Sequence, residues 1–410
     1  MMKINSQCRD CKSMRLKKFL DLGKQPLANS FVKKEDLEKQ ETRYPLEVYL
    51  CQNCNLVQLI HVVDKDELFG DYIYFSSKMP QISPHWQNYA KEIIGAYLGD
   101  SDDFVFEIAS NDGILLKFFK DAGFRVLGMD PAKNIASVAE SLGVPTLVDF
   151  FSEAAAREIL KKHGFAKTIL ANNVVAHIDD HHDLCRGVRT LLHPQGVFVI
   201  EAPYLIDMFE NLRYDTVYHE HLSFLAVRPL VQLFDLFDLE IFNARVVPIQ
   251  GQSLRLFVGH KGAHETSKAV NDLVQRELDY HMDDLESYNT LAKRVEKSKE
   301  KLIITLKELK SQGKIVAAYG APAKGNTILN YCQIGSELID YARDDLPSKQ
   351  GLYSPGMHIP IVSGEEARQN PPDYYLVLAW NYMKTILDKE KEFIQQGGKF
   401  ILPIEDDISI

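Results

Sequence analysis

Four of the chain's six cysteines stand in two Cys-x-x-Cys pairs, Cys8 with Cys11 in CRDC and Cys51 with Cys54 in CQNC. Each pair turns two sulfurs toward a common point, and two such pairs can close a tetrahedron. Zinc prefers that geometry. A filled thiolate shell leaves no position for water or substrate, so a structural ion is expected. Two redox pairs or an iron–sulfur centre would draw on the same ligands. Six cysteines in 410 residues are too few for a disulfide framework, which points to a reducing, cytoplasmic setting. Cys185 and Cys332 sit alone in helical or apolar context and read as small core residues.

The pairs lie within residues 1–65, where the strand-like runs LEVYLC and LVQLIHV are separated by the polar, helix-like KKEDLEKQETR. A module of that size needs a staple. From 66 to 245 the text alternates between apolar runs (FVFEIA, RVLGMD, TLVDFF, TILANNVV, GVFVIEAP) and amphipathic stretches such as ILLKFFKDAG. Such alternation predicts a parallel sheet with helices on both faces. A charged segment of helical period over 262–312 then leads into KIVAAYG, and YYLVLAW and KFILPI follow. The expected fold class is α/β: a small zinc-binding N-terminal domain (1–65), a central domain with a parallel sheet covered by helices (66–245) and a second, smaller C-terminal α/β unit (246–410).

Composition narrows the partners. Lys and Arg number 47 against 57 Asp and Glu, and the net charge of -10 opposes a phosphate backbone, so no nucleic acid is expected. No apolar run approaches the roughly 20 residues of a membrane helix, and MMKINSQCRDCK has no apolar core of signal-peptide length. No membrane contact is expected, and the chain is read as a monomer or weak homo-oligomer.

The strand FVFEIA runs through Glu107, Ala109, Ser110, Asn111, Asp112 and Gly113 into a helix. Small residues at 109, 110 and 113 permit a tight turn and close approach of a ligand to main chain. Asp130, at the end of RVLGMD, is placed to accept both hydroxyls of a ribose, and it is equally suited to cap the next helix with Pro131 at its first position. NAD would want GxGxxG so that a helix start meets pyrophosphate. Acids at 107 and 112 suit a ligand with a positive end instead, such as S-adenosyl-L-methionine.

Four segments then carry a resemblance: LDLGKQPLANSF between the cysteine pairs, the EIASNDG turn, YHEHLSF and YGAPAKGNT. In this order the chain resembles the S-adenosylmethionine-dependent sugar C-methyltransferases that act on nucleotide-linked 4-keto deoxyhexoses. Ala109, in place of a usual glycine, reads as a small departure; Gln252 in QGQSLR, where a second glycine is usual, departs in the substrate loop. The resemblance implies a central Rossmann-like methyltransferase domain, a C-terminal Rossmann-like α/β domain, a TDP-linked 4-keto deoxyhexose as partner and methylation at C-3. C-methylation beside a ketone needs a base to remove the α proton. By resemblance that base is His221, with Glu220 orienting it, Tyr218 contacting the sugar and His177 nearby. Tyr72 and Ser76 are implied around the keto sugar, although Tyr74 serves as well as Tyr72 from sequence alone. Asp149 and Phe150 are expected at the adenine, and Asn172 and Asn173 at the methionine portion. His219 reads as structural, and His181 and His182 as solvent-facing residues at a helix start.

Gly320, Lys324 and Thr327 lie in a strand-to-helix loop whose amides and lysine can hold a diphosphate; a purely structural turn is the competing reading. Rival functions are a zinc-containing methyltransferase of another small molecule or of nucleic acid, an NAD-dependent sugar enzyme and a non-enzymatic zinc module. Asn370-Pro371-Pro372 superficially suits the nucleic-acid methyltransferase, but it precedes YYLVLAW in the last domain with no basic cluster beside it.

Overall fold

The computed structural model describes residues 2–70, 75–78, 83–249 and 251–404. Strands β1 (Lys3–Ile4), β2 (Leu16–Gln25), β3 (Tyr44–Cys51), β4 (Val57–Leu59) and β5 (His61–Val62) build the N-terminal unit. The stretch read as helix-like forms only a 3-10 turn at Lys34–Asp36, with no buried residue. Without an apolar face, a short polar segment has nothing to offset the cost of helix nucleation.

The central sheet is built from β6 (Phe104–Ile108), β7 (Arg125–Met129), β8 (Thr146–Leu147), β9 (Ala166–Asn172) and β10 (Leu192–Pro203). After β11 (Ser223–Phe224) come β12 (Leu239–Val247) and β13 (Ser253–His260), and the seven-strand order is β12-β13-β10-β9-β6-β7-β8. Strand β13 pairs antiparallel with both β10 and β12. The central unit therefore runs past the boundary expected at 245, because an antiparallel hairpin closes its edge. All five residues of β6 are buried. Phe104, Phe106 and Ile108 pack with Ile159 and Val188 on one face, while Val105 packs with Tyr89, Ile93 and Phe119 on the other. This is the two-sided burial that a parallel sheet demands.

Strand β11 does not join that sheet. It pairs with β4, giving a four-stranded sheet in the order β11-β4-β3-β2. Helices Lys268–Asp279 and Leu285–Ser311 follow. The longer one buries Tyr288, Leu291, Val295, Leu302 and Leu306 at helical spacing and lays Tyr288 on Phe19 of β2, with ring centroids 4.8 Å apart.

The last unit is all parallel: β14 (Val316–Tyr319), β15 (Ala342–Arg343), β16 (Ile361–Val362), β17 (Tyr374–Val377) and β18 (Lys399–Ile401), in the order β16-β15-β14-β17-β18. Among its parallel strands each Rossmann-like sheet reverses its order once, between β6 and β9 and between β14 and β17. Ligand crevices form at the carboxyl ends of such strands. Among the described residues no helix is long and apolar enough to cross a membrane.

Candidate active site and metal centre

The two cysteine knuckles have the same backbone. Lys12 N donates to Cys8 O and Asn55 N to Cys51 O, while Cys8 N bonds Ser13 O and Cys51 N bonds Leu56 O. Lys12 and Asn55 both take left-handed φ, 58° and 66°. The result gathers all four Sγ atoms within 4.8 Å of one another, with Cys8 to Cys54 at 3.5 Å and Cys11 to Cys51 at 3.6 Å. Four sulfurs at about 2.3 Å from one ion lie close to that spacing. Without a cation the quartet shares its charge unevenly: Cys51 is held low by hydrogen bonds from Cys54 and Cys8, while Cys8 is pushed up, chiefly by its bond to Cys51. A dication lets all four ionise, so the residues fit zinc as a structural ion.

The turn after β6 is conformationally tight. Ala109 and Asn111 have φ of 53° and 50°, and Gly113 has 76°. A Cβ on Gly113 would meet the Val144 side chain at 3.0 Å, so this glycine is required twice over. Ala109 is less small a departure than its sequence suggests, since a left-handed L-residue costs roughly 1–2 kcal/mol. Ser110 is buried beneath the turn. Glu107 accepts from Asn172 Nδ2 at 3.1 Å through one oxygen, and its other oxygen is buried without a partner. Burial pushes Glu107 up to about 8. An orphaned buried carboxyl at a strand end is the partner a cationic ligand needs.

Asp130 is also buried. Its two oxygens accept from Asn111 N and Ala132 N, each at 3.0 Å. It therefore makes an Asx turn rather than the expected helix cap: the helix starts at Lys133 with Ala132 as N-cap, and Pro131 lies outside it. One lone pair on each oxygen is left for a ribose. Asn111 Oδ1 and Asp112 Oδ2 accept from the amides of Ser76 and Ser77, which brings Ser76 onto the turn after β6. Tyr72 and Tyr74 lie outside the described residues. Asn173 is left-handed, with φ of 53°, and its amide donates to Glu201 O at 2.7 Å. Asp149 is exposed and accepts from the Phe150 amide, while Lys65 Nζ sits 3.8 Å over the Phe150 ring.

The YHEH loop supplies a directed hydrogen-bond chain. His221 Nδ1 lies 2.6 Å from Thr216 O, an acceptor only, so this nitrogen carries the proton. Nε2 then accepts from Tyr218 Oη at 2.8 Å. Burial holds His221 well below its usual 6.5, and a proton on the neighbouring His177 would act in the same sense. His177 stacks on Phe69 at 5.6 Å and lies 5.0 Å from the His221 ring; burial pushes it down to about 4. Glu220 accepts from Asn29 Nδ2 at 2.6 Å, so the LANSF segment of the N-terminal unit reaches the loop. His219 points away, toward Tyr44 O at 3.2 Å.

The C-terminal loop is less open than its sequence suggests. Gly320 N bonds Arg343 O, Ala321 N bonds the Asp344 carboxylate, and the Thr327 hydroxyl donates to Val217 O at 3.0 Å. These donors are spent inside the protein, and Gly320, with φ of 85°, is needed because a Cβ would come within 2.7 Å of Ala379. Lys324 differs. Its Nζ is buried without a hydrogen-bond partner, 4.8 Å over the Trp380 ring, and Arg213 covers that ring at 3.7 Å. Trp380 Nε1 donates to Asp215.

Several participants escaped the sequence. His181 is fully buried, not solvent-facing, and bonds Asp10 at 2.6 Å; His182 bonds the Asp10 carbonyl. Glu201, opposite Asn172 in the β10–β9 register, is held by His85 and Arg255, each at 2.6 Å. Their partners lie far away in sequence, and only the DDHHD cluster hinted at any of them.

Comparison with known families agrees with this geometry. Residues 8–69 match a family model described as "Putative zinc binding domain", 86–243 a "Methyltransferase domain" and 248–405 a "C-methyltransferase C-terminal domain". C-methyltransferase NovU of Streptomyces niveus is 37% identical over 402 residues, covering 98% of this chain and 96% of that protein. Among solved structures, a SAM-dependent methyltransferase from Anabaena variabilis shares 18% identity over 44% of this chain and 95% of its own, with a TM-score of 0.33. Magnesium protoporphyrin IX methyltransferase from Synechocystis shares 12% over 46% and 88%, with a TM-score of 0.34. The family assignment rests on the whole-length relative and the three consecutive models: the chain belongs to the S-adenosylmethionine-dependent C-methyltransferases, with a zinc-binding N-terminal domain.

Proposed function

We propose that the substrate is a nucleotide-diphosphate-linked 4-keto deoxysugar, TDP-linked in the first instance, and that the methyl group goes to C-3. The observation that carries this reading is the Thr216–His221–Tyr218 chain, which presents a phenol backed by a neutral imidazole. Carbon acids beside a ketone need such a base. The C-3 proton passes to the Tyr218 oxygen as the Tyr218 proton passes to His221 Nε2, leaving the electron pair on the enolate. Bound S-adenosylmethionine supplies an electrophilic methyl on sulfonium for that carbon. His177, 5.0 Å from the His221 ring, flanks the new imidazolium with Glu220 as the orienting neighbour in sequence, and Lys324, whose Nζ makes no hydrogen bond, is the donor for enolate or diphosphate.

Glu107, Ser110, Asn111, Asp130, Asn172 and Asn173 surround the cofactor crevice between β6 and β9 in this reading, with Asp149 and Phe150 at its adenine end. Trp380, Arg213 and Lys324 meet at the second crevice, between β14 and β17, which suits the nucleotide half of the substrate. The test is incubation with TDP-, GDP- and UDP-linked 4-keto sugars followed by mass spectrometry and NMR. A product one methylene heavier, with the methyl on C-3, is expected; failure with every 4-keto sugar, or methylation elsewhere, refutes the reading.

A further inference from the structure

Nothing in a tetrahedral thiolate site requires the two residues between Cys8 and Cys11 to be charged or buried. Here Arg9 and Asp10 are both, each only 2% exposed. Arg9 Nη1 donates to Leu222 O at 2.7 Å, and Nη2 donates to Leu59 O at 3.0 Å and Asp179 Oδ1 at 3.2 Å. Leu222 is the residue after His221. Asp10 Oδ1 holds His181 Nδ1 at 2.6 Å, and His181 Nε2 reaches Val175 O at 3.2 Å, on the turn Val175–His177. The knuckle thus grips both loops that carry the reacting imidazoles, one through Leu222 and one through His181. It is fixed in turn by Gln58, whose Oε1 accepts from Arg9 N and whose Nε2 donates to Cys8 Sγ at 3.2 Å.

We propose that Arg9 and Asp10 are positioning residues that transmit the rigidity of the metal-bound knuckle to His221 and His177. This rests on the roles proposed above for those two histidines. A planar guanidinium reaching three acceptors on separate segments cannot be replaced by a lysine, which offers a point charge without a fork. Asparagine keeps a hydrogen-bonding oxygen at the Asp10 position while removing the charge. A merely structural knuckle would show neither distinction.

The test uses full-length, zinc-loaded protein and the variants Arg9→Lys, Asp10→Ala and Asp10→Asn. Zinc content, S-adenosylhomocysteine affinity and hydrogen–deuterium exchange are read together. Expected in Arg9→Lys and Asp10→Ala are one zinc per chain, unchanged protection over 44–56 and exchange about tenfold faster over 172–182 or 216–224. Asp10→Asn should restore protection. On a sugar that the wild type methylates, kcat should fall by about 100-fold with little change in KM, the signature of misplaced groups. Loops as protected as in the wild type, or protection lost together with zinc and the 44–56 segment, would overturn the proposal. Exchange requires no sugar, so it decides this inference even if the sugar reading fails.

Discussion

The Tyr218 hydroxyl lies 2.8 Å from His221 Nε2, the one nitrogen of that ring not committed to the Thr216 carbonyl. In the proposed mechanism the two side chains act as one base. Tyr218→Phe and His221→Asn should each lower turnover by roughly 100- to 10,000-fold, and the double variant should be scarcely worse than either. Single-turnover rates would show independent action if the two losses multiplied. Because His221 is held well below 6.5, the rate should stay level as pH falls through 6.5 and drop only in more acidic buffer.

In the proposed placement of the cofactor, Glu107 links its binding to pH. Its carboxyl is neutral in the ligand-free protein until about pH 8, and a cationic ligand favours the ionised form. Affinity for S-adenosylmethionine should rise with pH toward 8 and level off above it, with proton release on binding. A raised folded pKa destabilises the fold once pH exceeds the usual 4.5, and the cost is complete above about 8. Glu107→Gln should accordingly raise the Tm at pH 8 while weakening binding and flattening its pH dependence. Calorimetry in two buffers checks the proton release.

Asp130 holds the turn and, in the proposed placement, the ribose. Asp130→Ala removes acceptors from Asn111 N and Ala132 N, so stability should fall by about 1–3 kcal/mol alongside at least a roughly tenfold loss of cofactor affinity. Equal affinity in wild type and variant by calorimetry would place the ribose elsewhere.

Zinc removal should unfold the N-terminal unit, since metal binding in such modules is folding free energy. One zinc per chain is expected by elemental analysis, and dialysis against a strong chelator should lower the Tm and expose the thiols to a disulfide reagent. A metal-free preparation with an unchanged Tm would argue against the structural ion.

The cysteine quartet and the β6 turn were legible because their chemistry is local: spacing within a knuckle and small residues at a tight bend. The parallel sheets were legible from alternation alone. His181 was misread because its partner, Asp10, belongs to another unit, and a histidine at a helix start looks solvent-facing without it. The β12–β13 hairpin was cut at residue 245 because an antiparallel edge carries no βαβ signature. Thr327 looked like a ligand-binding hydroxyl until Val217 O appeared beside it. Long-range pairing decided each of these, and periodicity holds no record of it.

The pairing of β11 with β4 sets an order on synthesis. When β4 leaves the ribosome its outer edge has no neighbour, and the strand that covers it, Ser223–Phe224, follows only after most of the central sheet. At ordinary translation speed that interval is on the order of 10 s, during which a bare strand edge is open to pairing with other chains. The metal quartet, complete by Cys54, is available to hold the nascent unit meanwhile. A chimaera that exchanges only the first 65 residues would leave its new β4 facing a foreign β11, so grafts between relatives should carry residues 223–224 along with the cysteines.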